Sequence, residues 1–143
     1  MKNVKNVFES DTYAHRVLRE IKLLKILKGH PNIMKLKTIM RPRNPKNFNE
    51  INLVLEYCEQ NLSNVIRLNK TSLTTGHIKL FTYQIVKGLL FMHSKGVIHR
   101  DLKPLNILVY KGKCLKISDF GHSNVKTDKI NKDYNLTSQI STR

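Results

Sequence analysis

At 143 residues and 40% hydrophobic content, the chain is long enough to close one ordinary domain around its own core and too apolar to be a disordered tail. It has no apolar run of the ~18 residues a membrane span needs, and the N-terminal MKNVKNVFES lacks the greasy stretch of a signal peptide. The expectation is an intracellular protein, cytoplasmic or nuclear, with no membrane partner. A net charge of +16 raises nucleic-acid binding, but the lysines are spread over every segment and form no basic stripe with interleaved aromatics, so no specific nucleic-acid partner is expected. Cys58 and Cys114 stand far apart in apolar, strand-like surroundings, and neither they nor the six histidines show metal-ligand spacing. Both read as reduced structural thiols.

From Asp11 to Lys28 the apolar residues Ala14, Val17, Leu18, Ile21, Leu24 and Leu27 recur at helical spacing, with Ser10 or Asp11 as N-cap and Gly29 and Pro31 as stop signals. Met34, Leu36, Thr38 and Met40 alternate with their neighbours, and Ile51, Leu53, Leu55 and Tyr57 do so again. That predicts two antiparallel strands around the polar linker RPRNPKNFNE. A short helix around Leu62, Val65 and Ile66 comes next, then a longer one from Thr75 to Ser94 with Ile78, Phe81, Ile85, Leu89 and Met92 on one face and Gly96 past its end. The stretch HRDLKPLN, His99 to Asn106, then interrupts two apolar runs, Gly96-Val97-Ile98 and Ile107-Leu108-Val109-Tyr110. Charged loops set on rigid scaffolds are where function concentrates. A strand over 107–109, a turn at Lys111-Gly112-Lys113 and a strand through Leu115 and Ile117 predict a hairpin running into SDFG. Residues 122–143 are polar and poorly periodic and read as mobile. This order of elements favours an α+β arrangement over alternating βαβ units.

HRDLKPLN resembles the catalytic loop of protein kinases, with the Lys-Pro of the serine/threonine enzymes, and Asp119-Phe120-Gly121 follows where their DFG motif stands. The ordered pair, bracketing a hairpin, carries the resemblance. It implies that Asp101 accepts or orients the proton of a substrate hydroxyl and that Lys103 neutralises the transferring phosphate. Asn106 and Asp119 would hold Mg2+, an ion that prefers oxygen ligands and shares them with the phosphates of ATP. MKNVKNVFES resembles the third strand of the kinase small lobe, with Lys2 at the end of its V-A-I-K motif, although the V-A half is absent. Glu20, within LREIKLL, matches the helix C glutamate, which implies a Lys2–Glu20 ion pair orienting the α- and β-phosphates. INLVLEYCEQNL resembles the hinge strand: Leu55 would be the gatekeeper, the Glu56 carbonyl and Cys58 amide would meet adenine, and Asn61 stands near the ribose where many relatives use aspartate. Leu24, Leu36, His99 and Phe120 fall where kinases stack a hydrophobic column between their lobes.

NVFESDTYAHRVLREIKLLKIL, HPNI and the terminal STR resemble the group of mitogen-activated and cyclin-dependent kinases (CMGC), most of all its MAK/MOK branch. Aligned back from Thr142-Arg143, Thr137 lies at the activation threonine, while Gln139 replaces the tyrosine of T-x-Y. The resemblance implies an upstream kinase acting on Thr137, with the phosphate gripped by Arg100, Arg16 and Arg19, since guanidinium suits phosphate. The expected fold is a partial kinase domain over 1–143: the end of the small lobe with helix C over 1–57, and the hinge, helices, catalytic loop, DFG and activation segment over 58–143. No G-x-G-x-x-G precedes Lys2, so little turnover is expected of these residues by themselves. The function implied is ATP-dependent phosphorylation of serine or threonine in protein substrates, proline-directed as in that group. The alternative is a noncatalytic kinase-like module for nucleotide binding or interaction, favoured by the missing lobe parts and the irregular DFGHS.

Overall fold

In the computed structural model, which describes residues 1–68 and 73–125, the Ser10 hydroxyl accepts a hydrogen bond from the Tyr13 amide at 3.2 Å and so starts helix α1 (Asp11–Ile26). Strand β1 (Lys2–Lys5) precedes it, and β2 (Leu36–Met40) and β3 (Glu50–Leu55) follow, forming an antiparallel sheet of order β1-β3-β2. Along α1, Val17 and Ile21 pack onto Val4 and Leu53 of this sheet. Nearer the helix end, Leu23 and Leu24, with Leu27 just past it, enter a larger core with Ile33, Met34, Met92, Val97, Ile117 and Phe120. One helix thus serves two cores. Leu18, expected inward, is 45% exposed because Glu20 takes the buried place beside Val17 and Ile21, and Leu23 joins the core instead.

The expected alternation in β2 is corrected by a register shift between Leu36 and Thr38. Leu36 and Ile39 therefore face the core, whereas Thr38 and Met40 are exposed. Strand β3 keeps Ile51, Leu53 and Leu55 inward but ends there, and Tyr57 stands in solvent.

Helix α2 (Leu62–Leu68) follows the short strand β4 (Gln60–Asn61), and α3 (Thr75–Ser94) opens on a capping box in which Thr74 and His77 satisfy each other's amides. Its inward face is Phe81, Gln84, Gly88 and Met92, with Ile85 and Leu89 half-buried; Ile78, expected among them, is exposed in the first turn. A Cβ at Gly88 would stand 2.9 Å from Ile117 Cδ1 and 3.2 Å from the Asn32 carbonyl, so glycine is what lets α3 approach this closely. The predicted hairpin is β6 (Ile107–Tyr110) with β7 (Cys114–Ile117), and β4 pairs with β6. Cys114 is exposed on that hairpin, which corrects its reading as an apolar-site thiol. A further pair joins β5 (Val97–Ile98) to β8 (Asn124–Val125).

A buried polar knot ties these layers. Asn32 Nδ2 donates to Gln84 Oε1 (3.0 Å) and to the Leu115 carbonyl (2.9 Å), the Leu115 amide donates to the same Gln84 oxygen (2.8 Å), and Gln84 Nε2 donates to the Lys113 carbonyl (2.9 Å). Every polar atom named has a partner, as burial requires. The HPNI segment, the hairpin and α3 are thereby tied to one another. Among the described residues no helix is long and apolar enough to cross a membrane.

Candidate active site

Beyond β5 the chain is pinned by His99, which is buried and 5.5 Å from the Phe120 ring. Its Nδ1 accepts from the Asp101 amide (3.3 Å), which leaves the proton on Nε2 to donate to the Ser118 carbonyl (2.9 Å). His99 is thus a strut, with both ring nitrogens engaged by backbone groups. Arg100 turns the chain at φ 64, and Pro104–Asn106 forms a single 3-10 turn closed by the Asn106 amide on the Lys103 carbonyl. The buried Asn106 donates through Nδ2 to the Asp101 carbonyl (2.8 Å) and to Asp101 Oδ2 (3.0 Å). In return the Ser118 amide and hydroxyl both donate to the Asn106 carbonyl at 2.9 Å. Asp101, Asn106 and the residue preceding Asp119 are therefore one bonded unit.

Both oxygens of Asp101 also accept from Lys103 Nζ, at 2.9 and 3.1 Å. The Lys103 bond first, then that of Asn106, holds the Asp101 carboxyl below the usual carboxylate range. At neutral pH it is an ionised acceptor, suited to orienting a hydroxyl more than to storing its proton.

Asp119 sits in the left-handed region (φ 63, ψ 74), an uncommon backbone for a residue with a side chain. The fully buried Phe120 next to it anchors that turn. Lys2 of β1 meets Glu20 of α1, with Nζ 2.6 Å from Oε1 and 2.9 Å from Oε2; Glu20 is buried, and the Lys2 side chain keeps 40% exposure. Lys2, Glu20 and Asp119 line one cleft of about 240 Å3, together with Tyr13, Val17 and Gly121. Leu24, Leu36, His99 and Phe120 come together as expected: Leu24 and Phe120 share a core, Leu36 packs against it, and His99 meets the Phe120 ring.

Asp101, Lys103 and Asn106 are not among the residues lining that cleft and connect to it through Ser118, and Glu56, Cys58 and Asn61, on the stretch joining β3 to α2, do not line it either. The Glu56 amide donates to the Lys35 carbonyl (2.9 Å), and its carboxylate pairs with Lys116 Nζ at 2.9 Å. Burial pushes the half-buried Cys58 thiol up to about 11, so it is neutral at pH 7. Asn61 Oδ1 accepts from the Asn64 amide (2.8 Å), so this oxygen caps the first turn of α2.

Sequence reading missed Lys116 and Ser118. Lys116 is buried between Leu115 and Ile117, and its ammonium also donates to the Pro31 carbonyl at 2.9 Å. Three consecutive buried residues, Leu115 to Ile117, mark a strand covered on both faces, a signal that strict alternation hides.

The donor set suits magnesium in kind. The Asn106 amide nitrogen is spent on Asp101, which leaves its Oδ1 for a cation, and Asp119 offers carboxylate oxygens; a hard ion takes such ligands. Among the described residues no group of three or more His, Cys, Asp or Glu assembles a metal site, so an ion held here needs oxygens from phosphate or water as well.

A comparison with protein families matches the protein kinase domain over residues 1–143. The chain belongs to the protein kinase family. This kinase segment is 42% identical over 128 residues to mitogen-activated protein kinase 11 of Arabidopsis thaliana, covering 90% of the segment and 34% of that protein. To mitogen-activated protein kinase 9 of the same plant it is 41% identical over 143 residues, covering 100% and 28%. To the mitogen-activated protein kinase homolog MMK2 of Medicago sativa it is 43% identical over 121 residues, covering 85% and 32%. The segment thus spans about a third or less of the length of these relatives.

The arginines expected to grip a phosphate gather at one turn of the kinase segment. Arg100 Nε donates to the His122 carbonyl (2.8 Å) and Arg19 Nη1 to the Gly121 carbonyl (3.3 Å). Arg16 packs so closely that a Cβ at Gly121 would lie 2.9 Å from its Cγ. Thr137 and Gln139 lie outside the described residues.

Proposed function

We propose that these residues form the catalytic middle of an ATP-dependent protein serine/threonine kinase that phosphorylates Ser-Pro or Thr-Pro sites. The observation that supports the reading is the cleft that Lys2, fixed by the buried Glu20 carboxylate, lines together with Asp119, whose neighbour Ser118 is bonded to Asn106. Lys2 would meet the α- and β-phosphates of ATP, and Glu20 holds it there at no cost in reorganisation. Asn106 and Asp119 would hold Mg2+, which supplies charge neutralisation to the phosphates. Asp101 aims the substrate hydroxyl at the γ-phosphorus, and Lys103, already in contact with Asp101, offsets charge on the transferring group. The Glu56 carbonyl and Cys58 amide would take the adenine edge, with Asn61 near the ribose.

The test uses the longest form of the protein that contains this segment. Transfer of labelled γ-phosphate to a Ser-Pro or Thr-Pro peptide should require Mg2+ and stop on chelation. Nucleotide binding with no transfer under any condition would instead establish the noncatalytic module.

An upstream kinase acting on Thr137 is the activator this reading expects, its phosphate displacing the His122 carbonyl from Arg100. Thr137→Glu should raise transfer, and Arg100→Ala should remove the gain; the same ratio with and without Arg100 would overturn it.

A further inference from the structure

A groove of about 500 Å3, larger than the nucleotide cleft and sharing no residue with it, runs between the C-terminal half of α1 and strand β2. Its floor is aliphatic: Leu24 is buried, and Leu36 and Ile39 are half-buried. The register shift in β2 makes this floor, because it brings Leu36 and Ile39 to one side and leaves Lys37 and Thr38 both outside. The rim is cationic. Lys25, Lys28 and Lys37 are exposed, and the ion pairs among the described residues are Lys2–Glu20, Lys103–Asp101 and Lys116–Glu56, so none of the three has an acidic partner there. No acidic residue lines the groove. Strand β2 is also the edge of its sheet.

We propose that this groove docks an acidic segment of a partner protein, an apolar side chain seated on Leu24, Leu36 and Ile39 and flanking carboxylates paired with Lys25, Lys28 and Lys37. Charge complementarity selects the occupant. Three unpaired ammonium groups around an apolar floor fit a peptide in which carboxylates bracket an aliphatic or aromatic anchor. Single-stranded nucleic acid would ask for aromatic stacking surfaces, and no aromatic lines the groove. Lysines that only keep an edge strand solvated would need no apolar floor beneath them. The inference stands independently of the phosphotransfer reading.

The probe is a fluorescein-labelled peptide with a central Leu-Phe pair between runs of glutamate, titrated into the full chain and followed by anisotropy. The combined Lys25→Glu, Lys28→Glu and Lys37→Glu variant should weaken binding about tenfold or more. A control with the same charge change at the exposed Lys79, Lys95 and Lys113 should weaken it less than about twofold, the remote charges being screened. A peptide with Ser-Ser at its centre should lose about tenfold, since only its apolar anchor is gone. Lys25 supports the C-terminal end of α1, so if the reversed variant fails to fold, the three Lys→Gln changes carry the test. Equal losses in the two triple variants, equal affinity for the Ser-Ser peptide, or equal displacement by a DNA duplex would overturn the proposal.

Discussion

Asp101→Asn is expected to lower γ-phosphoryl transfer about a thousandfold while leaving the affinity for ATP unchanged, the scale of removing a positioned proton acceptor. The substitution preserves shape, and an oxygen remains to accept from Asn106, as Asp101 Oδ2 does at 3.0 Å. It removes the negative charge. Lys103, now bonded to both Asp101 oxygens, is left without its partner, and on the proposed reading the substrate hydroxyl loses the anion that would align it. Lys2, Glu20 and Asp119 are untouched, which is why nucleotide affinity should hold. Single-turnover transfer at saturating ATP, beside displacement of a fluorescent nucleotide, separates the two effects. Equal transfer by wild type and variant would remove Asp101 from the chemistry.

Phe120→Ala should cost about 3–5 kcal/mol of folding stability, as truncation of a buried aromatic ring does. Phe120 is fully buried and shares its core with Leu23, Leu24, Leu27, Met34, Met92 and Ile117. Its neighbours come from α1, α3 and the hairpin, and the Asn32–Gln84 knot braces α3 against the hairpin. A loss of this size is a large part of the ~5–15 kcal/mol that keeps a domain folded. It would appear as a lowered urea midpoint at unchanged slope. Phe120→Leu, nearer in volume, should lose less than about 1.5 kcal/mol. If Phe120→Ala moved the midpoint no further than Phe8→Ala, a ring that is 60% exposed, the core assignment would be wrong.

The long helices and the HRDLKPLN stretch were legible because their signals are local. Ser10 and the helical recurrence of apolar residues mark α1, and the same recurrence with Gly96 past its end marks α3, within a few residues of their ends. The Lys2–Glu20 pair, 18 residues apart, was readable only through the family resemblance; spacing by itself permits many partners. The face of β2 was misread because a bulge depends on the partner strand, which sequence alternation does not contain. Strands β4, β5 and β8 have only 2 residues each, too short for any periodicity. Lys116 and the Asn32–Gln84 knot escaped notice for a different reason. Their polar side chains are buried only because the fold brings distant acceptors to them, Pro31 and Glu56 for one, Leu115 and Lys113 for the other.

The Lys116 ammonium, lodged against both the Glu56 carboxylate and the Pro31 carbonyl, couples the inheritance of positions 56 and 116. A lineage that neutralised one would strand the other's charge in a poorly hydrated place, so viable drift should pass through paired replacement, most readily by two apolar residues of matching bulk.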